Sequence, residues 1–252
     1  MSNLSIFRRL DRSYVHMWAP TQRFASTQRA VTAVIGLNLV VFGAWYYSIE
    51  TSDSKLQKWL SNNATLSWAN VNAKRYWTLI TSAFSHQNFF HFLFNMMSLN
   101  AFSGVMITAA GLGLGAPHIM ALTLGSAITG SLAFLYQRRK DAQQHDRRWG
   151  PYAMHAPTAF AQGLGASGVV MGFAAAATGL SPFARMMIIP IPIGIPMWAL
   201  TGAYVAIDYY LLSSNDKIGH DAHLGGAIFG AAYYLAFLRG YGGISHLLRR
   251  RY

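Results

Sequence analysis

The sequence predicts an all-α polytopic membrane protein of six spanning helices, on three observations. Hydrophobic residues make up 53% of the 252-residue chain and charged residues only 11%, against roughly 25% charged in an ordinary soluble domain. The few charges are bunched, which leaves long uncharged runs between them. Six of those runs approach the length of about 20 apolar residues that crosses a bilayer core about 30 Å thick.

The first run covers residues 30–48 and ends in Trp45, Tyr46 and Tyr47, an interfacial signature. The second covers 89–110, the third 116–136 and the fourth 159–180. The fifth, 186–212, is interrupted by Pro190, Pro192, Gly194 and Pro196. Proline lacks the backbone donor and clashes with the preceding turn, so this helix is expected to start late or kink. The sixth covers 220–238. Residues 50–85 are polar but hold Trp59, Trp68, Tyr76 and Trp77, which fits a loop lying partly in the interface. The link at 111–115 is short and uncharged. A connection at 137–158 carries Arg138, Arg139, Lys140, Arg147 and Arg148 against Asp141 and Asp146. The chain therefore divides into a basic tail or targeting segment at 1–29, a membrane domain at 30–240 and a basic tail at 241–252.

The net charge of +12 does not point to nucleic acid. The basic residues sit at the ends and in one loop, with no basic helix interleaved with aromatics. In a membrane protein such clusters set topology or meet anionic lipid. The absence of cysteine excludes disulfides, thiolate catalysis and cysteine metal sites. Residues 1–29 hold Arg8, Arg9, Arg12, Arg23 and Arg29 with one acid, Asp11, and no apolar core of the secretory type. Two readings fit: a mitochondrial transit or matrix-facing segment, or a cytosolic tail obeying the positive-inside rule. Six spans place both ends on one side, and the tail Arg249-Arg250-Arg251 agrees. The basic connection at 137–158 then falls on the other side and breaks the rule. Either the rule is weak in this membrane or the count is wrong by one.

Polar side chains at membrane depth are expensive and mark sites. Three places stand out. His86, His91 and Asn95 open the second span, and His91 and Asn95, four apart, share one helix face. Interhelical hydrogen bonding is the plainer reading of that pair alone. In the fourth span, Ser167 lies within Gly163-Leu-Gly165-Ala-Ser167-Gly168-Val-Val-Met171-Gly172. Taken alone this is small-residue packing, and it is not the soluble-hydrolase elbow, because Val169 stands two after the serine. In the sixth, Asp221 and His223 precede Gly226 and Gly230. The pairs Gly168/Gly172 and Gly226/Gly230 both suit close helix packing. If those faces meet, Ser167 and His223 reach similar depth, and a serine beside a histidine is an activated nucleophile. Each group lies near the start of its span, and spans two, four and six run in one direction, so all approach from one side of the bilayer.

At these residues the chain resembles the rhomboid proteases, across 31–238. Gly165-Ala166-Ser167-Gly168 matches the family's Gly-x-Ser-Gly. His223 with Gly226 and Gly230 matches the base histidine and its glycine pair. His91 and Asn95 match His-x-x-x-Asn, and His86 matches a further histidine with a structural role. The resemblance implies a six-transmembrane-helix rhomboid-like bundle. It implies Ser167 as nucleophile and His223 as base, with the Ser167 N–H, His91 and Asn95 holding the oxyanion, and transmembrane proteins as substrates. Two positions depart from the family. Where many members have Trp-Arg, Trp77 is followed by Thr78 and preceded by Arg75. Where some have a tyrosine stacked on the base, this chain has Met171, which could offer a sulfur–aromatic contact. Asp221 is read as a helix-start residue rather than a third triad member.

Two other readings compete. One is an inactive rhomboid-like protein that binds or routes clients, against which both Ser167 and His223 stand. The other is a transporter with a broken helix at 190–196, which would need a matching break in the other half. No cofactor is expected. No metal site is expected either: His86 and His91 are splayed on a helix, and His118, His145, His155 and His246 have no visible partners. The expected location is the mitochondrial inner membrane, with the Golgi or another secretory membrane as alternative. Oligomeric state is left open.

Overall fold

The computed structural model describes residues 4–111, 114–149, 162–188, 191–212, 214 and 218–249. The expected connection at 150–158 with His155, the opening of the fourth span, Pro190, and Arg250 and Arg251 lie outside the described residues, as do the side chains of residues 4–21, His145, Asp146 and Arg148.

The architecture is helical. Helix α1, Leu4–Glu50, contains the expected first span and extends well before it. Three short helices fill the following loop: α2 (Ser54–Asn63), α3 (Trp68–Asn72) and α4 (Thr78–Thr81). Asp53 and Ser67 cap the first two by accepting backbone N–H bonds. Trp59, Tyr76 and Trp77 are exposed, as an interfacial loop requires. Arg75 donates to Asn62 at 2.7 Å and Asn70 at 2.9 Å, and Trp77 donates to Asn63 at 3.2 Å. These bonds pin the loop where the Trp-Arg pair is missing.

Helix α5, Phe89–Ala109, is capped by Asn88, whose side chain accepts from the His91 N–H. Helix α6, Ala116–Trp149, runs beyond the expected end at residue 136, so the first part of the expected 137–158 loop is helix. No glycine or proline interrupts residues 131–149. Gln137 and Arg138 reach Asp141 at helical spacings, 2.8 Å and 3.6 Å. Helix α7, Ser167–Leu180, follows.

The fifth expected span is corrected. Residues 185–188 and 191–196 pair as antiparallel strands, β1 (Arg185–Ile188) with β2 (Ile191–Pro196), and helix α8 begins only at Met197 and ends at Tyr210. Pro196 stands at its N-cap in an extended conformation. The prolines deny this stretch the helical donors, and the helix starts late, as they dictate. Helix α9, His220–Tyr233, continues through a π-helical turn, Tyr234–Leu238, and helix α10 is Ile244–Arg249.

Among the described residues, three helical stretches are long and apolar enough to cross a membrane: Gln22–Glu50, Phe89–Ala109 and Ala116–Gln144. Helices α7, α8 and α9 have 14 residues each, about 21 Å at 1.5 Å per residue. The six main helices alternate in direction. Trp45, late in α1, bonds Ser85 just before α5, whereas Thr27 bonds the Leu114 carbonyl at the opposite end. Gly130 of α6 abuts Ala222 early in α9, while Gly125 abuts Phe229 further along. Thr178, late in α7, bonds Thr201, early in α8. The core between α1, α5, α6, α7, α8 and the π-helical turn after α9 is built on Val31, Leu99, Met106, Leu122, Phe173, Met197 and Leu238, all fully buried.

Candidate active site

The starts of α5, α7 and α9 and the end of α8 meet at one end of the bundle, and the reason lies in glycine. The helices α7 and α9 pack backbone on backbone. A Cβ built on Gly226 would lie 1.9 Å from the Gly168 carbonyl oxygen, and one on Gly230 would lie 2.0 Å from that of Gly172. Both anticipated glycine pairs therefore face each other, in parallel register. One turn earlier, Gly168 lies against the Ala222 carbonyl. Ser167 and His223 are the immediate chain neighbours of that contact. Both are half-buried, with 17% of the His223 side chain exposed. No hydrogen bond joins the two side chains among the described residues; such bonds are often formed only in the substrate complex.

The segment before Ser167 is held from three sides. Gly163 pairs with Leu66, with N–H···O bonds of 2.8 Å both ways. The Gly165 N–H donates to the Ser82 carbonyl at 2.9 Å, and the Ala166 N–H donates to His86 Nε2 at 3.2 Å. Gly165 has φ +121°, and a Cβ there would lie 2.6 Å from His91 Cε1, so the His91 ring rests directly on this turn. Helix α7 has no side-chain cap. Its first N–H groups, Ser167's among them, lack intrahelical acceptors and suit an anion at that point. Asn95 is buried and donates back to the His91 carbonyl at 2.8 Å, which leaves its second N–H for another acceptor. His86 is fully buried in T-shaped contact with His91, ring centroids 5.0 Å apart. Burial pushes its pKa down to about 3. Met171 is buried inside α7.

Two residues were missed from the sequence. Asp208 near the end of α8 is buried, and its Oδ1 lies 3.0 Å from His223 Nδ1 and 2.6 Å from His220 Nδ1. A carboxylate within an apolar span is itself a signal, and Asp208 is the one acid between residues 186 and 212. Asp221 is engaged elsewhere: it accepts from Arg138 of α6 at 3.3 Å and from the Ala222 N–H at 2.6 Å. His118, expected to be without a partner, is 2.8 Å from the Tyr233 hydroxyl. Asp208, His220 and His223 also present ligand-type atoms within 4.8 Å of one another, a donor set that the sequence did not suggest. Their short N–O separations are those of N–H donors on a carboxylate.

This is a polytopic helical membrane protein in which a serine, four histidines, an asparagine and an aspartate converge on one end of tightly packed helices. The Rhomboid domain model matches residues 73–240, and the chain belongs to the rhomboid family. Rhomboid protein 1, mitochondrial, of Saccharomyces cerevisiae is 30% identical over 81% of this chain and 51% of its own length. RHOMBOID-like protein 12, mitochondrial, of Arabidopsis thaliana is 29% identical over 73% and 53%. The human Presenilin-associated rhomboid-like protein, mitochondrial, is 28% identical over 88% and 51%. The chain thus spans about half the length of these curated relatives. With its apolar helices, it is a multi-pass protein of the mitochondrial inner membrane.

Proposed function

We propose that this chain is an intramembrane serine endopeptidase, cutting peptide bonds in or near transmembrane segments of membrane proteins. The observation that carries the reading is the Gly168–Ala222 contact, which seats Ser167 and His223 on either side of one backbone junction. Ser167 Oγ attacks the substrate carbonyl carbon as His223 takes its proton. The tetrahedral oxyanion is met by the Ser167 N–H, His91 and the free N–H of Asn95. On collapse the C–N bond breaks and His223 passes its proton to the leaving amine. Water then releases the acyl group by the same two residues. Residues 30–240 carry this machinery. The basic 1–29 segment is read as a targeting or matrix-facing segment, and 241–252 as a tail.

The test is cleavage of a single-span reporter by the purified protein in lipid vesicles. Ser167→Ala and His223→Ala each abolish cleavage, and Asn95→Ala lowers kcat by about 10²–10³-fold. Cleavage that survives Ser167→Ala would end this reading. A wild type that cleaves no reporter but retains single-span proteins would favour a client-binding role.

A further inference from the structure

We infer that Asp208 is a positioning residue for His223. Its carboxylate keeps the His223 proton on Nδ1 and so leaves Nε2 free to take the proton of Ser167. The inference rests on the protease reading above and extends it from two residues to three, with His220 as a brace.

The argument is one of donors and acceptors. An ionised carboxylate can only accept. His223 Nδ1 stands 3.0 Å from Asp208 Oδ1, so a hydrogen bond there requires the proton on Nδ1. In a neutral imidazole the other nitrogen is then the lone-pair acceptor, the form a general base must have. When Nε2 takes a proton, the imidazolium forms beside a carboxylate shielded from water, where the attraction exceeds its value in bulk. His220 Nδ1 touches the same oxygen at 2.6 Å, with its ring at 82° to that of His223. Two donors on one oxygen fix the carboxylate in position, and both it and His220 are buried. The carboxylate of Asp221, two residues before His223, is taken by Arg138 and the Ala222 N–H. Asp208 is therefore the acceptor for His223 Nδ1, although 15 residues and a change of helix separate them in the chain.

The experiment uses the full chain in vesicles, with wild type, Ser167→Ala, Asp208→Asn and Asp208→Glu. Asp208→Asn would turn an amide donor toward Nδ1 and favour the wrong tautomer. Expected is a fall in kcat of about 10²–10⁴-fold, KM within about threefold and partial recovery in Asp208→Glu. Nitrogen-15 NMR of histidine-labelled wild type, with His223 assigned by difference from His223→Gln, reads the tautomer without altering Asp208. The expected signal is a protonated Nδ1 at neutral pH. A His223 protonated on Nε2 instead would overturn the inference even if Asp208→Asn fails to fold. So would a folded Asp208→Asn that cleaves like wild type while Ser167→Ala is dead, which leaves the protease reading intact. Loss of cleavage on chelation with recovery on added zinc would also overturn it, because the carboxylate would then be a ligand. Equal behaviour of wild type and Ser167→Ala would remove both readings together.

Discussion

His86 is fully buried and accepts the Ala166 N–H, so the folded chain needs its ring neutral. Burial holds its pKa at about 3, against 6.5 in an unfolded chain. Between these values the unfolded state binds the extra proton. Stability from this group is complete above pH 6.5 and is lost as the pH falls toward 3, by about 1.4 kcal/mol per pH unit. Unfolding curves of wild type and His86→Gln, taken from pH 7 to pH 4, should show the steeper acid loss in wild type. Equal slopes would refute this assignment. Gly165 is the second residue on which the turn depends. Gly165→Ala forces φ +121° on a residue with a side chain and drives a methyl into the His91 ring. The backbone strain is about 1–3 kcal/mol, and displacing His91 should cut turnover at least tenfold, measured on the reporter in vesicles. Both residues stand out in the sequence, His86 by position and Gly165 by its place two before the serine. What each touches is visible only in the folded chain.

At the scale of elements, the α7–α9 seam governs the site. Gly226→Ala would place a methyl 1.9 Å from a backbone carbonyl. No rotamer can relieve that contact, so the helices must separate. Overpacking of this kind costs about 1–3 kcal/mol. The predicted result is a lowered midpoint in thermal or denaturant unfolding, with cleavage reduced further than unfolding alone explains. An added methyl at Gly202 of α8, which meets nothing within 4 Å, should leave both unchanged. Small-residue spacing made this seam legible, because close helix approach needs the same residues at fixed intervals. The pairing of β1 with β2 was legible only in part. Its prolines announced a break, but strand pairing depends on which backbone groups meet, and a proline count does not give that.

Across the whole molecule, the alternation of the six helices puts the α6 end with Arg138 and Arg139 on the side of the site. It puts the C-terminal α10 on the other: Tyr234, which opens the π-helical turn after α9, bonds Ser245. The basic 137–149 stretch and α10 therefore face opposite sides, and the basic end of α6 departs from the positive-inside rule. Because the chain has no cysteine, single cysteines test this cleanly. In sealed vesicles of one orientation, an impermeant maleimide should label only one of Gln144→Cys and His246→Cys, both at exposed positions, and the other only after permeabilisation. Labelling of both from one side would refute the alternation.

The class of molecule, the glycine seam and the residues that resemble a family's active site are all written in local features of the chain. Apolar run length, small-residue spacing and short motifs are all local in the chain. Only the folded chain shows that α6 continues as helix past the expected boundary, that 185–188 pairs with 191–196, and that Asp208 and His220 join His223. A hydrogen bond between a carboxylate on one helix and an imidazole on the next leaves no periodic trace. It exists because packing brings two side chains within 3.0 Å, and burial then makes each the partner that the other requires.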